Sequence, residues 1–127
     1  MIKYLKLSFL VLFFSGTLFA QQSSVYTHEL TEFNRAVELY KDKQYQAAQI
    51  LFDKVKSKTD NMEVESDCAY YIANCAIRLD QMGADFLVES FVEDYPTSTK
   101  TNQAYIEVAH YYFDQGNYPK SLDWFDK

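Results

Sequence analysis

The chain has 127 residues, 18 of them acidic against 12 basic, for a formal net charge of −6. That balance argues against nucleic acid as a partner, because a groove of this sign repels phosphates instead of releasing counterions from them. With 48% hydrophobic residues but only three Gly and two Pro, the composition points to an all-α fold of helices joined by short turns and away from a turn-rich sheet fold.

The first twenty residues, MIKYLKLSFLVLFFSGTLFA, place Lys3 and Lys6 ahead of an apolar run that closes on the small residue Ala20. This is the layout of a secretory signal peptide. The apolar stretch Leu7 to Ala20 is shorter than the roughly 20 residues of a comfortable membrane span, and the polar QQSS follows it. Cleavage after Ala20 is therefore expected, with membrane contact confined to the uncleaved signal. No Cys stands at the junction, which argues against a lipid anchor. Residues 21–29 read as a short extension, and 30–127 as one domain able to bury a modest core. Loss of Lys3 and Lys6 makes the remainder more acidic still, in keeping with a solvated surface.

Within 30–127 the sequence repeats itself. NYPKSLDWF (Asn117 to Phe125) matches QYQAAQILF (Gln44 to Phe52), and the same displacement relates Ala109 to Ala36. The offset is 73 residues, near two units of a helix-hairpin repeat. The first unit, about 30–57, carries Phe33, Ala36, Val37 and Tyr40 at helical spacing. KDKQY breaks that pattern before Ala47, Ala48, Leu51, Phe52 and Val55 resume it. Asp60 and Glu63 are spaced like a capping pair for the second unit, about 63–95. Its helices are marked by Ala69, Ile72, Ala73, Ala76, Ile77 and Leu79, then by Phe86, Leu87, Phe91 and Val92, ending at Pro96. Its register stays open, since either Cys75 or Ala76 suits the small close-packing position. The third unit, about 101–127, follows the hydroxyl-rich TSTKT and carries Tyr105, Val108, Ala109 and Tyr112. After the Gln115-Gly116-Asn117 turn, Pro119 falls in a helix's first turn, and Leu122 and Phe125 are expected to face the core.

Cys68 and Cys75 lie seven residues apart on one helix, about 10 Å along its axis. A disulfide needs Cα atoms within about 7 Å, so the two are expected as buried thiols, with an intermolecular bridge as the alternative.

These units resemble tetratricopeptide repeats, most closely in QAYIEVAHYYFDQGNYPKSLDWFDK and less so in FNRAVELYKDKQYQAAQILFDKV, where Arg35 replaces the usual aliphatic residue. The middle unit departs furthest, with Ala84 where a Tyr is usual. The join FVEDYPTSTKTNQAY resembles repeats of Gram-negative envelope proteins, among them the outer-membrane assembly lipoproteins and the periplasmic Tol-Pal coordinator. The resemblance implies helix-turn-helix hairpins stacked as a right-handed α-solenoid. It also implies a non-enzymatic scaffold for protein–protein interaction in the cell envelope, periplasmic or associated with the outer membrane. Its partner-binding groove would be lined by Phe33, Asn34, Val37, Tyr40, Lys41, Ala73, Asn74, Ile106, Glu107, His110, Phe113 and Asp114. Alternative placements of the middle unit exchange Asn74 and Ile77 for Ile72 and Ala76. Phe33 and Val37 occupy the places where some relatives hold a terminal carboxylate, which points instead to a helix or extended segment docking by its apolar face.

Chemistry has little support in the sequence. His28 and His110 belong to no HExxH pair, Gly16, Gly83 and Gly116 build no phosphate loop, and no Ser or Cys has a placed base. His110 and Asp114 share a helix face, but two ligands make no closed metal site, so no metal or cofactor is expected. Two other readings stay open. One is glycan or peptidoglycan-fragment binding by a ring platform of Tyr111, Phe113 and Trp124. The other is the N-terminal repeat region of a longer envelope protein whose activity lies beyond Lys127. The short last helix would leave rings uncovered, a place for self-association or for the repeat array to continue.

Overall fold

In the computed structural model, which describes residues 28–127, six helices follow one another and the described residues contain no strand. They are α1 (28–41), α2 (Tyr45–Lys56), α3 (Met62–Arg78), α4 (Ala84–Asp94), α5 (Thr101–Asp114) and α6 (Tyr118–Phe125). The signal-peptide reading of residues 1–20 lies outside the described residues. Glu32–Lys127 form one unit, and the packing below concerns that unit alone. None of the described helices is long and apolar enough to cross a membrane.

Three of the turns are copies of one another. α1, α3 and α5 each end on a residue in the left-handed region, Lys43 (φ 61°), Asp80 (φ 51°) and Gly116 (φ 75°). Behind each, a backbone N–H reaches back over the last helical turn: Gln44 to Leu39 at 2.9 Å, Gln81 to Ala76 at 3.0 Å, Asn117 to Tyr112 at 2.9 Å. Such a closure satisfies carbonyls that a helix end leaves orphaned. These turns set the register that the sequence left open. Counting back seven residues from each left-handed residue gives Ala36, Ala73 and Ala109, all buried. Ala73 is thus the middle close-packing residue, in place of both Cys75 and Ala76. The sequence pattern was obscured because α4 starts four residues after Asp80, whereas α2 and α6 start two after Lys43 and Gly116. Gly83, itself at φ 81°, supplies the backbone for that insertion. The extra residues rotate α4, so that Ala84, Val88 and Phe91 are buried while Phe86 and Leu87 stay exposed.

Two capping expectations are also corrected. α3 is capped by Asn61, whose Oδ1 accepts from the N–H groups of Glu63 (2.9 Å) and Val64 (3.3 Å), and not by Asp60. α5 has no side-chain cap at Lys100. The hydroxyls before it hold the preceding turn instead: Thr101 Oγ1 donates to the Tyr95 carbonyl at 3.0 Å, and Ser98 Oγ accepts from Lys100 N–H at 3.3 Å.

The core lies on both sides of α3. One cluster joins Ala36, Ala48, Phe52 and Val55 to Cys68 and Cys75, with Tyr71 and Ile72 packed against it. The other joins Tyr70, Ala73, Ala76 and Ile77 to Val88, Phe91, Val108, Ala109 and Trp124. A helix apolar around most of its girth is a buried helix, and YYIANCAI is that kind of sequence. Cys68 and Cys75 are free and buried, and burial pushes both thiols up to about 12. In α6 the inward residues are Ser121 and Trp124, correcting the expectation for Leu122 and Phe125. Ser121 Oγ donates to the Ala109 carbonyl at 2.9 Å, which seats it at the closest approach of α5 and α6. With Ser121 fixed there, the helical period turns Trp124 inward and leaves Leu122 and Phe125 on the outer side.

Candidate functional site

The first helices of the three hairpins come together around one side chain that the sequence did not single out. Arg78, at the end of α3, places its guanidinium carbon 5.3 Å from the ring centre of Tyr40 on α1. It lies 5.7 Å from Tyr45 on α2 and 5.7 Å from Tyr111 on α5. A guanidinium over aromatic faces is attracted by their quadrupoles, more so when water is partly excluded. Its position is set from within α3: one turn earlier, buried Asn74 accepts from Arg78 Nη1 at 3.3 Å and donates its own Nδ2 to the Tyr70 carbonyl at 3.1 Å. No carboxylate lies within ion-pair distance of Arg78 among the described residues.

Around this centre the hydroxyls sit in a low-dielectric setting. Burial raises the Tyr40 hydroxyl above its ordinary pKa; the Arg78 charge works against the shift and the Glu107 carboxylate with it. Burial, then Glu107, do the same for Tyr70. Both phenols therefore stay neutral through any physiological pH. Tyr40 Oη is buried with no hydrogen-bond partner, a costly condition for a polar atom.

The predicted groove residues divide among several surroundings. Tyr40, Asn74 and Glu107 meet at the Arg78 centre. Ala73 is buried in the second core cluster and lines no open groove, because it is the close-packing residue of its hairpin. Phe33 and Val37 pack into the first cluster, Phe33 edge-on to Phe52 (5.7 Å) and Tyr71 (6.2 Å). Asn34, Lys41 and Asp114 are exposed. Ile106 and Phe113 are exposed on α5, and His110 sets its ring edge-on to Phe125 at 5.3 Å. Arg78, Tyr70 and Tyr71 were missed through the register of the middle hairpin. In the register of the turns they correspond to Lys41, Phe33 and Asn34, all in the predicted set, but the insertion after Asp80 hid that register.

The ring platform does not form. Trp124 is only 3% exposed and packs on Tyr105 at 5.7 Å, while Phe113 pairs with Tyr118 and Tyr111 with Tyr112. Two open clefts lie elsewhere. One, of about 320 Å³, is lined by Glu63, Asp67, Asp94, Tyr95 and nearby hydroxyls. The other, of about 350 Å³, is lined by Asp80, Gln81, Asp85, Phe86, Tyr112 and Lys120, and there Lys120 pairs with Asp85 at 2.9 Å below the Tyr112 ring. Among the described residues no three His, Cys, Asp or Glu side chains gather as metal ligands.

Compared with known proteins, the chain matches no family model, no curated protein and no solved structure.

Proposed function

We propose that the chain is an exported, non-enzymatic scaffold of tetratricopeptide type, whose hairpins stack as a right-handed α-solenoid and bind a protein or peptide segment in the cell envelope. The repeat reading is supported by the left-handed closures at Lys43, Asp80 and Gly116, which bring Ala36, Ala73 and Ala109 into one register. The binding reading is carried by a single observation: α1, α3 and α5 all contribute to the Arg78 centre. Aromatic rings with an arginine are the side chains that most often dominate protein interfaces. Exposed Asn34 and Lys41 extend that surface. Export rests on the layout of residues 1–20.

Capture of partners from envelope extract by the full chain, repeated with Lys41→Glu and Arg78→Glu, tests the surface. A specific partner should be lost in both variants while their helical circular dichroism is kept. Unchanged capture in both overturns the placement of the binding surface. N-terminal sequencing of protein recovered from the periplasm tests export, and a chain that still begins at Met1 overturns it.

A further inference from the structure

A different surface, on the last hairpin, has the form of an acceptor for one more helix. Within the chain that form is already filled twice. α3 lays Cys68, Tyr71, Ile72 and Cys75 on α1 and α2, its Tyr71 ring stacked on Phe52 at 4.7 Å and nearly parallel to it. α5 lays Ala104, Val108 and Tyr111 on the second hairpin. In the register of the turns, Cys68 corresponds to Ala104, Ile72 to Val108 and Cys75 to Tyr111. Both covering helices thus present a small residue, a β-branched aliphatic four positions on, and a further apolar residue three after that.

Among the described residues the third acceptor lies open. Ile106, Phe113, Tyr118, Leu122 and Phe125 are all exposed, and they correspond through the 73-residue offset to Phe33, Tyr40, Tyr45, Gln49 and Phe52. Its rings already stand in the covered geometry: Phe113 and Tyr118 at 5.3 Å and 65°, Tyr40 and Tyr45 at 5.4 Å and 66°. A contiguous apolar face of this kind marks an interaction site.

Charge and local chemistry narrow the occupant. In the first interface Arg78 caps the Tyr40–Tyr45 pair; beside the Phe113–Tyr118 pair stands Asp114, where the first hairpin has Lys41. Gln49 exchanges hydrogen bonds with Gln81 across the first interface, but its counterpart is Leu122, so an apolar residue belongs opposite it. The hairpin's lysines are turned away, Lys120 to Asp85 and Lys127 to Glu89, leaving exposed Asp114 and Asp126 at the rim. Two copies meeting face to face would oppose like charges; a basic helix would not.

We propose that the outer face of α5 and α6 docks an amphipathic helix of another protein. That helix carries a small residue, Ile or Val four positions later, an apolar residue three beyond, and Arg or Lys three beyond that, seated on Phe113 and Tyr118 next to Asp114. α3 itself has this pattern in Cys68, Ile72, Cys75 and Arg78, so a labelled synthetic peptide of residues 62–79 is the probe. Titrated with the full chain and followed by fluorescence anisotropy, it should bind saturably. Phe125→Asp and Leu122→Asp, both at exposed positions, should each weaken binding by about tenfold or more, as should Arg78→Glu within the peptide. Phe86→Asp, exposed on α4, should leave it unchanged. Absence of binding at millimolar peptide overturns the proposal, as does binding that Phe125→Asp leaves intact. Sedimentation showing a dimer of the full chain that Phe125→Asp dissolves also overturns it, since a second copy would then be the occupant.

Discussion

The first and last hairpins are one design in two states of cover. Phe52 and Phe125 occupy equivalent places, yet Phe52 is 0% exposed and Phe125 47%. The difference does not come from either hairpin's own fold, since both share the turn closure and a buried close-packing alanine, and their ring pairs agree to within a tenth of an ångström and a degree. It comes from Tyr71 and its neighbours on α3, which cover one face, whereas the other is uncovered among the described residues. In a repeat array the burial of a side chain belongs to the interface between units.

The comparison is broken most sharply by truncating the two phenylalanines. Phe52→Ala should cost about 3–5 kcal/mol, the range for a fully buried ring. Phe125→Ala should cost less than about 1 kcal/mol, as for a residue that packs on one side only. Urea unfolding followed by circular dichroism checks both, and equal losses would mean that the last face is covered in solution.

Alkaline pH comes next in size, and the two buried thiols carry their share of it at a single interface. Both thiols lie between α3 and the first hairpin, with folded-state values of about 12 against an ordinary 9.0. An acid whose pKa is raised by folding favours the native state below its unfolded value. That contribution is therefore complete below pH 9 and is lost as pH climbs from 9 toward 12. Stability measured across that window should fall less steeply for Cys68→Ala/Cys75→Ala than for the parent chain.

The turns sharpen the comparison at about 1 kcal/mol. Lys43 holds φ 61° with a side chain, and Gly116 holds φ 75° without one. Lys43→Gly should raise stability by up to about 1 kcal/mol, and Gly116→Ala should lower it by a similar amount. Gly116 has open space where a Cβ would stand, so the loss would come from backbone strain alone. Of similar size is Tyr40→Phe, which places in the first hairpin the residue that Phe113 supplies in the last. Because Tyr40 Oη is buried with no hydrogen-bond partner, its removal should raise stability by about 1 kcal/mol; a loss in the same titration would reveal a partner.

Much of the helical order was legible along the chain because apolar spacing and small residues are local signals. Ala36, Ala48, Phe52, Val108 and Ala109, all named from spacing, are buried. The middle hairpin was not legible in the same way. Gly83 and the residues before it shift α4 relative to its counterparts, and a shifted copy misaligns every equivalence drawn through it. Arg78 stayed hidden for that reason, and also because an arginine near a helix end has a common surface role that its spacing does not distinguish from a place among three rings.

By itself, the sequence determined an all-helical chain, the repeat relation between its first and last hairpins, and two cysteines too far apart on one helix to join. These follow from periods and offsets that act within a few turns of chain. Tertiary structure alone decided which of two equivalent phenylalanines is buried, which face α6 turns inward, and that rings from α1, α2 and α5 enclose Arg78. Each of those outcomes depends on a neighbour distant in sequence, and burial is a property of the pair in contact.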